Sequence, residues 1–163
     1  MSLDVEVKLK GYKPLQINVL NTSQMILPPV ASSLQGQNVA AWVTGHVYAY
    51  GAIVRNAGHY YWCIVAGTAG ATAPVHTDGD ASDGAVTWRY VRWQRRAVTL
   101  LNVAGTACQI AIARGNPAEI NKGIVLYANG SHNEGFDAIW AYQGAWYAIS
   151  DSGTGRMLSV SEG

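Results

Sequence analysis

The residues that chemistry would draw on first are four histidines, two cysteines and a short run of aspartates. A zinc site needs four N/S ligands at tight spacing, or three and an open position. His46, His59, His76 and His132 have no such clustering, so no metal ligation is expected. The run Asp78-Gly79-Asp80-Ala81-Ser82-Asp83-Gly84 puts carboxylates at positions 1, 3 and 6 of a calcium-type loop, but position 12 is Arg89 where a bidentate Glu is required. It reads instead as a turn whose Asp side chains cap backbone amides. Ser150-Asp151-Ser152 belongs to a hairpin turn, and Glu119, Glu134, Asp137 and Glu162 lie in or beside turns. None sits in an apolar run that would raise its pKa for acid work. With no nucleophile elbow and no phosphate loop, the chain reads as non-enzymatic, without cofactor. Cys63 and Cys108 each fall inside a β-like run, which fits a bridge or, more simply, two buried free thiols.

What remains is aromatic chemistry. The chain has 6 Trp and 9 Tyr against 1 Phe. Trp42, Tyr48, Tyr50, Tyr60, Tyr61, Trp62, Trp88, Tyr90 and Trp93 crowd into one stretch. Tyr and Trp offer large contact area at low entropy cost, with a polar handle. On a rigid β-scaffold they stack on sugar faces or grip a neighbouring protein. They are also what a module of roughly 50 residues needs for its own core, because aliphatics alone do not suffice at that size. Period-2 alternation makes Tyr50, Tyr61 and Trp93 the candidates for exposure and ligand contact. Each stacking ring would contribute on the order of 1 kcal/mol.

These aromatics sit in a chain of 163 residues, 49% hydrophobic and 13% charged, with 18 Gly and a net charge of +1. That length suits one domain, or one domain carrying an inserted module. The balance excludes disorder and argues against nucleic acid, which is bound through a Lys/Arg excess. The N-terminus alternates apolar and charged residues and has no basic stretch followed by an apolar run, so no signal peptide is expected. No apolar run approaches spanning length, so no membrane insertion is expected.

The elements that must position the aromatics are short strands. Val5–Leu9, Leu15–Val19 and Met25–Leu27 come first, ending at Pro28-Pro29, and Ser32–Asn38 reads as a linker. The aromatic stretch follows, with a Gly-rich loop over Ala66–Ala85. After Arg95-Arg96, strands are expected near Ala97–Leu101, Cys108–Ile112, Gly123–Tyr127, Ala138–Ala141, Trp146–Ile149 and Met157–Val160, with turns between them that include Asn129–Gly135. The fold class is all-β: an antiparallel β-sandwich or barrel of residues 1–37 plus 95–163, with a small aromatic-rich β module inserted at 38–94.

Trp42, Tyr48-Ala49-Tyr50-Gly51-Ala52-Ile53-Val54 and Gly58-His59-Tyr60-Tyr61-Trp62-Cys63 together resemble carbohydrate-binding families 5 and 12, with Ala52 where those families usually place Asp. Ala66–Pro74 with Asp83-Gly84-Ala85-Val86-Thr87-Trp88 is similar to modules embedded in tailed-bacteriophage virion proteins. Leu101–Ala107, Ala113–Pro117, Gly123–Leu126 and Tyr147–Gly163 resemble a recurrent β-domain of small phage structural proteins. The resemblance implies a virion protein made in the host cytoplasm and carried on the outer surface of the particle. Capsid decoration, docked on the major capsid protein or other virion proteins, comes first; the decoration resemblance also implies a homo-oligomer, a trimer by preference. A tail-fibre or baseplate adhesin binding host surface glycan comes second, and a free carbohydrate-binding module third.

Overall fold

The computed structural model describes residues 14–104, 108–135, 141–152 and 156–163. The strand expected at Val5–Leu9, most of that at Ala138–Ala141, and Asp137 lie outside the described residues.

The fold is all-β. In chain order the elements are β1 (Leu15–Val19), β2 (Gln24–Leu27), α1 (Ala31–Leu34), β3 (Val47–Tyr48), β4 (Ile53–Asn56), β5 (His59–Val65), β6 (Gly67–Thr68) and β7 (Asp80–Asp83). They continue with β8 (Val86–Tyr90), β9 (Val98–Asn102), β10 (Ile110–Arg114), β11 (Ile124–Leu126), β12 (Ser131–Glu134), β13 (Trp146–Ser150) and β14 (Arg156–Glu162). Two antiparallel sheets, ordered β1-β14-β9-β12 and β11-β10-β13-β2, form the sandwich. Alternation builds them: Ile17 and Val19 of β1, Val98 and Leu100 of β9, and Leu158 and Val160 of β14 point inward, with more exposed residues between. Ile110, Ile112 and Trp146 meet them from the other sheet in one shared core. Burying each large aliphatic side chain there contributes about 1.5–3 kcal/mol.

Residues 47–90 supply a third antiparallel sheet, β4-β5-β8-β7, and the two-stranded ribbon β3-β6. The β4–β5 hairpin closes on Ala57 (φ 48°) and Gly58 (φ 81°), both left-handed as a type I′ turn demands. One face of β5 turns Tyr61 and Cys63 into a small core with Tyr48, Val54, Val86 and Trp88. Its other face sends Trp62 into the sandwich core, with Tyr60 and Ile64 packed alongside. The module is therefore cemented to the sandwich through a central strand covered on both sides.

Three segments differ from expectation. The linker region begins in one helical turn, α1, which buries Ala31 and Leu34. The supposed loop 66–85 contains β6 and β7, and the supposed turn 129–135 contains β12. Both β7 and β12 are edge strands with polar sequences, DASD and SHNE, so no apolar alternation marks them.

Candidate functional site

The module's sequence signature is a backbone interlock. The Gly67–Gly70 segment lies directly on the β7–β8 turn, where the Ala85 amide donates to the Thr68 carbonyl at 3.0 Å. A Cβ on Gly84 would fall 2.7 Å from the Gly70 nitrogen, and one on Gly67 would fall 2.7 Å from the Ala85 oxygen. Only glycine permits that approach. The indole Nε1 of Trp42 donates to Asp83 Oδ2 at 3.0 Å, tying the module's entry to the same turn. This spacing of Gly, Asp and Trp serves packing rather than chemistry.

The junction with the sandwich is held by Arg95, only 1% exposed. Its guanidinium donates to Glu162 Oε2 (2.8 Å) and to the carbonyls of Pro28 (2.8 Å), Tyr142 (2.7 Å) and Gly144 (3.2 Å). Gln143 accepts from the Arg95 amide (2.9 Å) and donates to its carbonyl (2.6 Å). The entering and leaving chains run side by side, with the Ala31 and Ser32 amides donating to the Arg92 and Trp93 carbonyls. In the sequence Arg95 marks only a change of texture; in the fold it is the hub of the junction.

The three aromatics expected to be exposed part company. Tyr61 is 0% exposed, because β5 is covered on both faces, and its hydroxyl donates to the His76 carbonyl at 3.1 Å. Burial pushes that hydroxyl's pKa up. Tyr50 is 37% exposed, but its hydroxyl donates to the Met25 carbonyl of β2 at 2.8 Å and its ring meets Trp62 edge-on at 5.7 Å. Burial raises the pKa of this hydroxyl too, against the lowering influence of Arg89. Tyr50 thus braces the module on the sandwich. Trp93, 52% exposed, presents the open ring. It lines a shallow groove of about 360 Å³ with Tyr90, Arg92, Gln94, Arg96 and Gly163, and neither Tyr50 nor Tyr61 belongs to that lining. Trp93 is expected from the sequence, but the arginines beside it are not, although Arg92, Arg95 and Arg96 fall within the five residues 92–96.

The aspartate run disperses among separate partners. Asp80 makes a bidentate pair with Arg89 (2.6 and 2.9 Å), Asp78 faces Arg92 at 3.4 Å, and Asp83 holds Trp42. These pairings, and the strand β7 through Asp80–Asp83, replace the turn with capped amides. No group of three potential metal ligands occurs among the described residues. Cys63 and Cys108 are both buried free thiols. Burial pushes the Cys63 thiol up to about 11, partly offset by hydrogen bonding with the Val65 backbone, so it is a poor nucleophile.

A second polar cluster clips the two sheets together. Glu134 of β12 pairs with Arg114 of β10, faces His132 Nε2 at 3.2 Å, and accepts from the Tyr142 amide at 3.1 Å. The Arg114 guanidinium carbon lies 5.2 Å from the centre of the buried Trp146 ring. Burial first, and Arg114 second, lower the pKa of His132.

The strand registers also define two poles. Leu27, Val98, Arg114, Glu134 and Glu162 lie at the end where the module joins. At the opposite end β1, β9 and β11 finish and β14 begins, and there Leu20, Val103, Tyr127 and Met157 are exposed. The Val103 amide donates to the Met157 carbonyl, and the Ser150 amide to the Leu20 carbonyl, knitting that pole together.

Compared with protein-family models and with curated protein sequences, the chain matches none.

Proposed function

We propose that this chain is a non-enzymatic structural protein on the exterior of a tailed-bacteriophage particle, where it decorates the capsid. The sandwich docks on the head lattice and the aromatic module faces away from it. The observation that supports this reading most is the polarity of the molecule. Leu20, Val103, Tyr127 and Met157 are exposed at the pole opposite the module, where they offer apolar area for docking, although Val43, Val47, Val65 and Val75 are exposed on the module as well. The module is fixed to the other pole by Trp62, Tyr50 and Arg95, so docking at one end sets the orientation of the other. Many copies, each adding a weak contact, give a stable layer by avidity, and a homo-oligomer, a trimer by preference, belongs to the same reading. The test is co-sedimentation with phage heads that lack the protein. Saturable binding, weakened by Met157→Glu and Tyr127→Glu, supports decoration; absence of binding by the intact protein rejects it.

The exposed Trp93 favours a second reading, a tail-fibre or baseplate adhesin for host surface glycan. There the protein would bind host cells, and Trp93→Ala would abolish that binding while pole substitutions leave it intact.

A further inference from the structure

We infer that the groove beside the β4–β5 turn is a binding site for a carboxylate carried on a single six-membered ring. Its charge comes from Arg55. Arg89, Arg92, Arg95, Arg114 and Arg156 all face carboxylates, whereas Arg55, alone of the arginines, has no side-chain partner among the described residues. Arg55 is exposed, and the groove that it lines with Ala41, Asn56, Ala57, Gly58 and Tyr60 has no acidic side chain in its wall. A volume of about 400 Å³ is at the small end of ligand sites, suited to one ring and its substituents.

The hairpin register builds the groove. Arg55 and Tyr60 oppose each other across β4 and β5, so their side chains share one face, while Val54 and Tyr61 enter the module's core from the other. Tyr60 packs against the sandwich core and its hydroxyl donates to the Leu34 carbonyl at 3.4 Å, which fixes its ring as a half-buried platform. The Arg55 backbone is held from the outer edge of β4. Its amide donates to the Ala40 carbonyl (2.9 Å), and its carbonyl accepts from the Trp42 amide (3.0 Å). Asn56 is fixed by donating to the Pro74 carbonyl at 3.0 Å. Ala41, Ala57 and Gly58 have no atoms beyond Cβ, so the groove stays open. A guanidinium with unspent donors offers a carboxylate two parallel hydrogen bonds, and a backbone already set in place loses little freedom when a ligand arrives. Arg55 confers the preference for acid; the Tyr60 ring and the small wall residues confer the preference for a ring.

The probes are glucuronate, a sugar acid, and benzoate, a flat aromatic acid, each beside a neutral counterpart, the glucuronate methyl ester or benzamide. Acetate serves as the acid without a ring. Binding to the full chain is followed by the Arg55 Nε–H and Gly58 amide resonances. At least one ring acid is expected to bind in the millimolar range, about tenfold more tightly than its neutral counterpart and than acetate, and added salt should weaken it. Which ring acid binds identifies the ring as sugar or aromatic. Arg55→Gln should remove the acid–neutral difference at an unchanged melting temperature, and Ala41→Trp, which leaves Arg55 in place, should block the ring. Failure of both ring acids at millimolar concentration, equal binding of acetate or the neutral counterparts, or an acid preference that survives Arg55→Gln would overturn the inference. None of these results bears on co-sedimentation with heads or on Trp93, so this proposal and the readings of function fail separately.

Discussion

Trp42 and Asp83, forty-one positions apart, meet through one hydrogen bond of 3.0 Å between the indole Nε1 and a carboxylate that is almost wholly buried. That bond fastens the first aromatic of the module to the tip of its last hairpin. Trp42→Phe keeps most of the apolar contact and leaves the Asp83 oxygen without this donor. Unfolding by denaturant should show a loss of about 1–3 kcal/mol. In a cycle with Asp83→Ala, the double variant should lose clearly less than the sum of the single losses.

Arg95 and Arg96 are neighbours with opposite fates. Arg95→Ala strands the Glu162 carboxylate and several carbonyls, and should destabilise the fold by about 3–5 kcal/mol. Arg96 is exposed, and Arg96→Ala should cost clearly less stability than Arg95→Ala. Equilibrium denaturation of the two variants side by side checks the contrast.

Ala57 occupies a left-handed position, φ 48°, in the β4–β5 turn. A Cβ there costs roughly 1–2 kcal/mol. Ala57→Gly relieves the clash at some cost in unfolded-state entropy, and Ala57→Asn suits a type I′ turn. Both should raise the melting temperature, with a gain on the order of 0.5–1 kcal/mol.

Acid should loosen the clip between the sheets. The folded state lowers the pKa of His132, by burial first and by Arg114 second. Glu134 also faces the imidazole, but it is already paired with Arg114. At pH above about 6.5 the ring is neutral in both folded and unfolded chains. Below that, the unfolded chain takes up a proton that the folded one resists, so stability falls until the folded pKa is reached. Melting temperatures between about pH 7.5 and 5.5 should therefore decline on acidification, and His132→Gln should shrink the decline. An unchanged decline in the variant would assign it to other groups.

Much of the architecture is legible in the residues because burial on one face writes itself as alternation. Leu15-Gln16-Ile17-Asn18-Val19 and Trp146-Tyr147-Ala148-Ile149 announce their strands in this way. The same rule misleads at Tyr60-Tyr61-Trp62-Cys63, where both faces of β5 are covered and period 2 no longer separates inside from outside. It says nothing at Ser131–Glu134 or Asp80–Asp83, whose edge strands are paired on one side only. The site was half visible. Trp93 stands out as an aromatic, but the burial of Arg95 and the grouping of Arg92, Gln94 and Arg96 beside it depend on how the entering and leaving chains lie together.

The central claim, a sandwich docked by one pole with the module held away from the particle, is tested most directly by electron-microscopic imaging of particles to which the protein, labelled at the β4–β5 turn, has been added. Regular density is expected on the outer head surface, with the Leu20–Val103–Tyr127–Met157 pole against the shell and the label outermost. Density confined to the tail, or a label buried against the shell, would contradict it.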